Sequence, residues 1–286
     1  MIRYILLMSF LLLGIIANAQ DDLLEELEQI APDWDENVES TFKGTRLING
    51  QSVETRKQGV LEFVINHRFG NLNSGAYEFF GLDEANIRLA LEYGITDRLY
   101  IGLGRSSFEK TFDGFYKYRL LQQKTSGAPL SITWFNSMTI ETFKRVDDER
   151  EFIDRLTYTF QPLLARKFSP AVSLQLMPTY VHYNTITATE NGNDLFSCGV
   201  GGRVKISKRV TINAEYYYQF NRLFDDSHNA LAIGFDIETG GHVFQLLFTN
   251  SRAMVEKGFI HETTGDFFDG DIRFGFNISR AFQLKK

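Results

Sequence analysis

The chain has 286 residues, a formal net charge of −6 and a single cysteine, Cys198. One thiol excludes an intramolecular disulfide and a cysteine-based metal site, and an acidic chain without a basic tract excludes a nucleic-acid partner. Aromatics make up 14% of the residues. Yet past the first twenty positions no apolar run approaches the roughly 20 residues a membrane helix needs. Any membrane crossing must therefore be made by strands.

The chain begins "MIRYILLMSFLLLGIIANAQ". Arg3 supplies a positive start, positions 5 to 17 are apolar, and Ala17-Asn18-Ala19 has the small-x-small form of a signal-peptidase site. Residues 1–19 therefore read as a cleaved signal peptide, and the absence of a cysteine after the site argues against a lipoprotein. Residues 20–58 form a leader. Its first half is acidic, with Leu23, Leu24, Leu27 and Ile30 near helical spacing before Pro32. A short amphipathic helix and a solvated tail both fit it. The second half, "TFKGTRLINGQSVETRKQG", mixes Phe42, Leu47, Ile48 and Val53 with polar residues, and "NGQS" marks a tight turn. It reads either as a periplasmic linker or as a partial plug that sets Lys43, Arg46 and Glu54 against charges inside a barrel.

From Val60 onward the hydrophobic period becomes two. In "VLEFVINHRF", Leu61, Phe63 and Ile65 share one side while Glu62, Asn66 and Arg68 share the other. "NIRLALEYGI" sets Ile87, Leu89, Leu91 and Tyr93 against Arg88 and Glu92. "RLTYTFQPLLARKF" sets Leu156, Tyr158 and Phe160 against Arg155, Thr157, Thr159 and Gln161. About twelve such runs follow one another and end in "GDIRFGFNISRAF", where Phe274, Phe276 and Ile278 alternate with Arg273 and Asn277. Pro162 and Pro178 interrupt two of the runs, which predicts a bulge or a rim position.

The connections alternate. "TDR", "KTSGAP", "SPA", "SKR" and "TGG" are short, whereas residues 71–84, 107–114, 144–152, 184–194, 221–228 and 250–267 read as longer, polar loops. An even number of strands with tight turns at one rim and long loops at the other is the pattern of a transmembrane barrel. A sheet in hydrocarbon must close on itself to satisfy its backbone. The fold predicted for residues 59–286 is therefore all-β, a transmembrane up-and-down antiparallel β-barrel of about twelve strands behind a short N-terminal periplasmic segment. Its last strand pairs with its first.

Three segments carry a family resemblance: "TFKGTRLINGQSVET", the "HRFG" at 67–70, and the ending "TGGHVFQLLFTNS…FFDGDIRFGFNISRAF". Together they resemble a Bacteroidetes-type outer-membrane β-barrel family catalogued as a domain of unknown function, from about residue 38 to the C-terminus. The resemblance implies a Gram-negative outer membrane, reached through the signal peptide and the barrel-assembly machinery. It carries no catalytic or binding residues.

Chemistry is sparse. The five histidines form no HExxH and no metal-ligand spacing, and no elbow motif marks a serine. No catalytic residue, metal or cofactor is predicted. Taking the polar side of each strand as inward gives a lumen set of Glu62, Arg68, Arg88, Glu92, Arg119, Arg155, Arg203, Glu215, Asp236 and Arg273. Both signs are mixed, so the charges can pair and fill the interior rather than form a one-sign selectivity ring. The leading expectation is a narrow or gated barrel for a small polar solute, with lipid as its surroundings. The alternatives are a scaffold recruiting a periplasmic partner and, behind it, an outer-membrane hydrolase.

Overall fold

The computed structural model describes residues 36–143, 150–185, 192–239 and 241–284. The expected signal peptide, its expected cleavage site and the leader up to residue 35 lie outside them. Twelve strands form one closed antiparallel barrel: β1 (Val60–Asn71), β2 (Ala85–Gly94), β3 (Leu99–Ser106), β4 (Phe112–Leu121), β5 (Ser131–Ile140), β6 (Leu156–Lys167), β7 (Val172–Tyr183), β8 (Asp194–Lys205), β9 (Val210–Gln219), β10 (Leu231–Thr239), β11 (His242–Thr249) and β12 (Arg273–Gln283). Each strand pairs with its sequence neighbours, and β12 closes on β1 with Leu61 opposite Phe282, Asn66 opposite Asn277 and His67 opposite Phe276. The two-faced final strand is thus the closing strand.

Alternation along each strand sorts the side chains, because successive Cβ atoms point to opposite faces. On β2, Arg88 and Glu92 have no exposed surface, while Leu91 is 55% exposed. The same inversion recurs on β1 with buried Glu62, Asn66 and Arg68, and on β8 with buried Arg203 and exposed Phe196 and Val200. On these strands the inward side chains are polar and the outward ones apolar, while β3 to β9 add an inward apolar cluster that includes Tyr100, Phe115, Phe135, Leu163, Met177 and Tyr217.

Most connections follow the expected asymmetry, with one reversal. The β3–β4 connection is only 107–111, whereas the β4–β5 turn on the opposite rim runs from 122 to 130. That longer turn has a task. Val38 donates its N–H to the Gln123 carbonyl at 2.7 Å and Thr125 donates to the Glu36 carbonyl at 2.9 Å, so the turn clasps the leader where it reaches the barrel. Residues 112–114, expected in the loop, open β4 instead, since Phe112-Asp113-Gly114 is too short a stretch to show a period.

Two further expectations are corrected. Pro162 and Pro178 sit neither in a bulge nor at a rim. The β6–β7 register is unbroken from Thr157 opposite Tyr183 to Lys167 opposite Ser173, but pairing lapses between Phe160/Tyr180 and Leu164/Leu176. This places the two prolines opposite each other, where neither has an N–H to give. A register-preserving gap results, spanned by Gln161 Nε2 donating to Thr179 Oγ1 at 2.6 Å. The β11–β12 connection, read as a polar external loop, instead turns inward. It carries a short helix, α1 (Glu256–His261), all six of whose residues are buried.

Candidate functional site

The lumen is occupied by the second half of the leader. Residues 45–52 make a hairpin, with Ser52 N–H to the Thr45 carbonyl at 3.0 Å and Leu47 N–H to the Gly50 carbonyl at 2.8 Å. At its tip the consecutive N–H groups of Ile48, Asn49 and Gly50 converge on the Glu215 carboxylate, at 3.2, 2.7 and 3.2 Å. Successive backbone N–H groups in a turn form a concave anion site, and here its anion is a wall side chain. Leu47 fits against Gly201, where a Cβ would come within 2.1 Å of its Cδ2. The inward glycine makes room for the hairpin.

The wall supplies partners to the hairpin backbone from nearly all sides. Lys117 Nζ donates to the carbonyls of Thr45, Ser52 and Glu54 at 2.6, 3.1 and 3.2 Å. Gln175 accepts from Val53 N–H at 2.8 Å and donates to the Gln51 carbonyl at 2.7 Å. Gln245 and Asn277 donate to the carbonyls of Leu47 and Ile48 at 2.6 and 2.9 Å. Arg68 Nη2 reaches Asn49 Oδ1 at 2.8 Å. A buried backbone must be accounted for donor by donor, and uncharged Gln and Asn do much of that here.

At the short-turn end, Glu62 accepts from Thr45 and from Arg56, and Tyr100 donates to both Glu62 and Glu92 at 2.8 and 2.7 Å. Arg88 pairs with Asp113 at 2.8 and 2.5 Å. From the long-loop side α1 meets the hairpin: Gln51 Nε2 donates to Glu256 Oε1 at 3.1 Å, and Arg46 lies 3.9 Å from both Glu256 and Glu92. The helix packs Phe259 against Tyr217, ring centroids 5.2 Å apart. Burial raises the Glu256 carboxyl above its ordinary value, with Arg46 opposing. Burial lowers the Lys257 ammonium, but Glu262 and Glu109 more than offset it and hold it above its usual range. His261 is fully buried with no hydrogen-bond partner on either ring nitrogen, and burial pushes it down to about 3.

Above α1 a vestibule of about 510 Å³ opens toward the long loops, lined among others by Glu109, Arg155, Tyr183, Lys257, Glu262 and Arg273. Its charges are largely paired: Lys257 with Glu262 at 2.9 Å, and Arg150 with Glu141 at 3.5 Å.

The structure distributes the predicted residues as follows. Glu62, Arg68, Arg88, Glu92, Arg203, Glu215 and Asp236 are buried on the inward face. Arg119 is half-buried at the short-turn end, 3.8 Å from Glu54. Arg273 opens β12 at the vestibule, 4.0 Å from Glu84. Arg155 departs from its expected place: it ends a 3-10 turn before β6, donates to the Arg150 carbonyl, and lines the vestibule rather than the wall. Of the leader residues, Arg46 lies deepest, Glu54 accepts from Phe42 N–H at 3.2 Å, and Lys43 pairs with Glu238 at 2.5 Å. Sequence reasoning missed Gln175, Gln245 and Asn49, whose neutral amides carry no charge signal. It also missed α1, although "AMVEKGFIH" is too apolar for a loop in water.

Two histidines meet aspartates: His182 with Asp194 at 2.7 Å on the outer wall, and His228 with Asp266 at 3.3 Å near the mouth. The hydroxyl joined to the first pair is that of Tyr180, at 2.6 Å from Asp194. No cluster of metal-ligating residues occurs among the described residues.

An outer wall of apolar side chains around a charged, filled lumen defines a membrane-bound β-barrel. The family described as "Membrane bound beta barrel domain (DUF5777)" matches residues 42–282, and the chain belongs to it. Similar solved structures include the NanC porin, with a TM-score of 0.50 and 8% identity over 79% of this chain and 100% of that one. The KdgM porin follows at 0.48 and 9%, over 78% and 99%. An outer membrane channel from Pseudomonas putida F1 has 0.46 and 13%, over 80% and 97%. The NanC likeness, at so low an identity, speaks for the porin-type barrel fold alone. No curated protein matches the chain in sequence.

Proposed function

We propose that the protein is a gated outer-membrane channel for a small polar solute, with the N-terminal hairpin and α1 as its closed gate. Export through the signal peptide and insertion by the barrel-assembly machinery belong to the same reading. The observation that carries it is how the lumen is filled. Hairpin and helix are separate from the wall ladder and are joined to it by side-chain hydrogen bonds, ion pairs and packing. Either can leave without breaking a strand–strand bond, and a polar passage lined by Arg68, Arg88, Glu92 and Glu215 would then connect the vestibule to the short-turn side.

A second reading, a non-transporting scaffold, draws support from the completeness of that packing. Planar-bilayer conductance separates the two. The full-length protein should be silent or open rarely, and deletion of residues 41–55 should give sustained ion flow through a barrel that still migrates as a folded species. A folded deletion variant that stays silent overturns the channel and favours the scaffold.

A further inference from the structure

The outer wall bears a second concavity, remote from the vestibule. It lies over the β6–β7 gap, has a volume of about 570 Å³, and is lined chiefly by Trp134, Phe160, Pro162, Pro178, Tyr180 and Phe196, with almost no polar surface. Its shape follows from the sequence. Trp134 opposes Pro162, and Pro178 opposes Cys198, so one outward row across β5 to β8 has two proline rings and a thiol as a low floor. The next row toward the long loops is tall. Phe160 stacks on Tyr180 at 5.7 Å and Tyr180 on Phe196 at 5.2 Å, which makes a continuous aromatic ridge. The row on the other side is aliphatic, with Leu164 opposite Leu176 and Leu176 opposite Val200.

We propose that this groove is a lipid site that holds one acyl chain of a bilayer phospholipid. Two observations point to that occupant. The groove lies in the apolar wall of a membrane-bound barrel, so a chain from the bilayer is what meets it. It is a trough between two ridges, and strands tilted about 35–45° set such a cross-strand trough at a slant that an acyl chain in the bilayer can follow. The polar group of Tyr180, His182 and Asp194 lies in the next row toward the long loops, across the aromatic ridge from the trough, so the trough itself is apolar along its length. The inference is independent of whether the lumen conducts.

Trp134 is one of only two tryptophans in the chain, so a Trp34→Phe variant carries one fluorophore at the groove. Phospholipid brominated on its acyl chains is titrated into this variant in detergent. The expected result is quenching that saturates near one lipid per protein, with one phospholipid retained in native mass spectrometry. Phe160→Ala with Phe196→Ala removes the ridge, and Pro178→Phe fills the floor. Each should abolish saturation while the barrel keeps its folded migration. A tryptophan moved to outward-facing Leu103 (Leu103→Trp in a Trp134→Phe, Trp34→Phe background) should quench only in proportion to lipid. Proportional quenching at both positions overturns the site in favour of ordinary annular lipid. Protection of Trp134 with a dimeric sedimentation profile overturns it in favour of a second copy of the chain.

Discussion

The hairpin and α1 both lie inside the barrel, yet they are held in different ways. The hairpin presents backbone N–H and C=O groups to wall side chains, and Glu215 and Lys117 each receive or supply three of its bonds. The helix makes its contacts through side chains: Phe259 against Tyr217, Lys257 between carboxylates, and a histidine with no partner at all. The hairpin is thus fixed by many directional bonds to its backbone. The helix is fixed by packing and by groups whose charge can change. The difference teaches that a lumen can be filled from its two ends by elements held in unlike ways, one tied to the wall through its backbone and one seated through its side chains.

The strongest way to break this comparison is at the hairpin tip. Glu215→Ala leaves the amides of Ile48, Asn49 and Gly50 buried without an acceptor, and hydrogen bonds to charged groups contribute about 1.5–3 kcal/mol each. A loss of about 3 kcal/mol or more in hairpin docking is expected, read as rapid proteolysis within residues 41–55. Protection equal to the parent would refute the proposed anchoring. Lys117→Met strips the donor from three buried carbonyls and should cost about 2–3 kcal/mol by the same reasoning, measured as a lower melting temperature in detergent.

Acid tests the helix. The unfolded His261 titrates near pH 6.5 and the folded one near 3, so the folded state binds fewer protons. Stability from this residue is complete above pH 6.5 and declines as pH falls toward 3. Between pH 7 and 5 the loss is about 2 kcal/mol. Glu256, raised by burial, acts with the opposite sign, since protonating it relieves a buried charge. In a Glu256→Gln background, α1 should undock on acidification, seen as hydrogen exchange of residues 255–261, and His261→Leu should remove the dependence. An unchanged acid response in that variant would assign the effect elsewhere. The smallest expected effect is at the junction: Gln51→Ala removes one hydrogen bond to Glu256 and should cost about 1 kcal/mol, read as slightly faster hydrogen exchange of residues 45–52.

The wall was legible in the sequence because its signal is local. Ile87, Leu89 and Leu91 alternate with Arg88 and Glu92 whatever else the chain does, and in a barrel the polar partners of that alternation must face inward. Closure of β12 on β1 follows as well, since twelve strands with a polar inner face have no other way to satisfy two edges. The β6–β7 gap was half legible. Each proline announces a lost ladder bond, but only the register shows that Pro162 and Pro178 share one site.

The amino-acid sequence by itself determined strand number, the identity of the two faces and the charge of the lumen, all of which rest on a period of two. What fills the lumen was decided only in three dimensions. Glu215 meets the amide of Asn49 across 166 positions of chain, and Gln51 meets Glu256 across 205. Contacts at that separation leave no periodicity. They depend on which wall residue faces which point of the interior once the cylinder has closed, and that geometry set the hairpin, the inward helix and the proline groove.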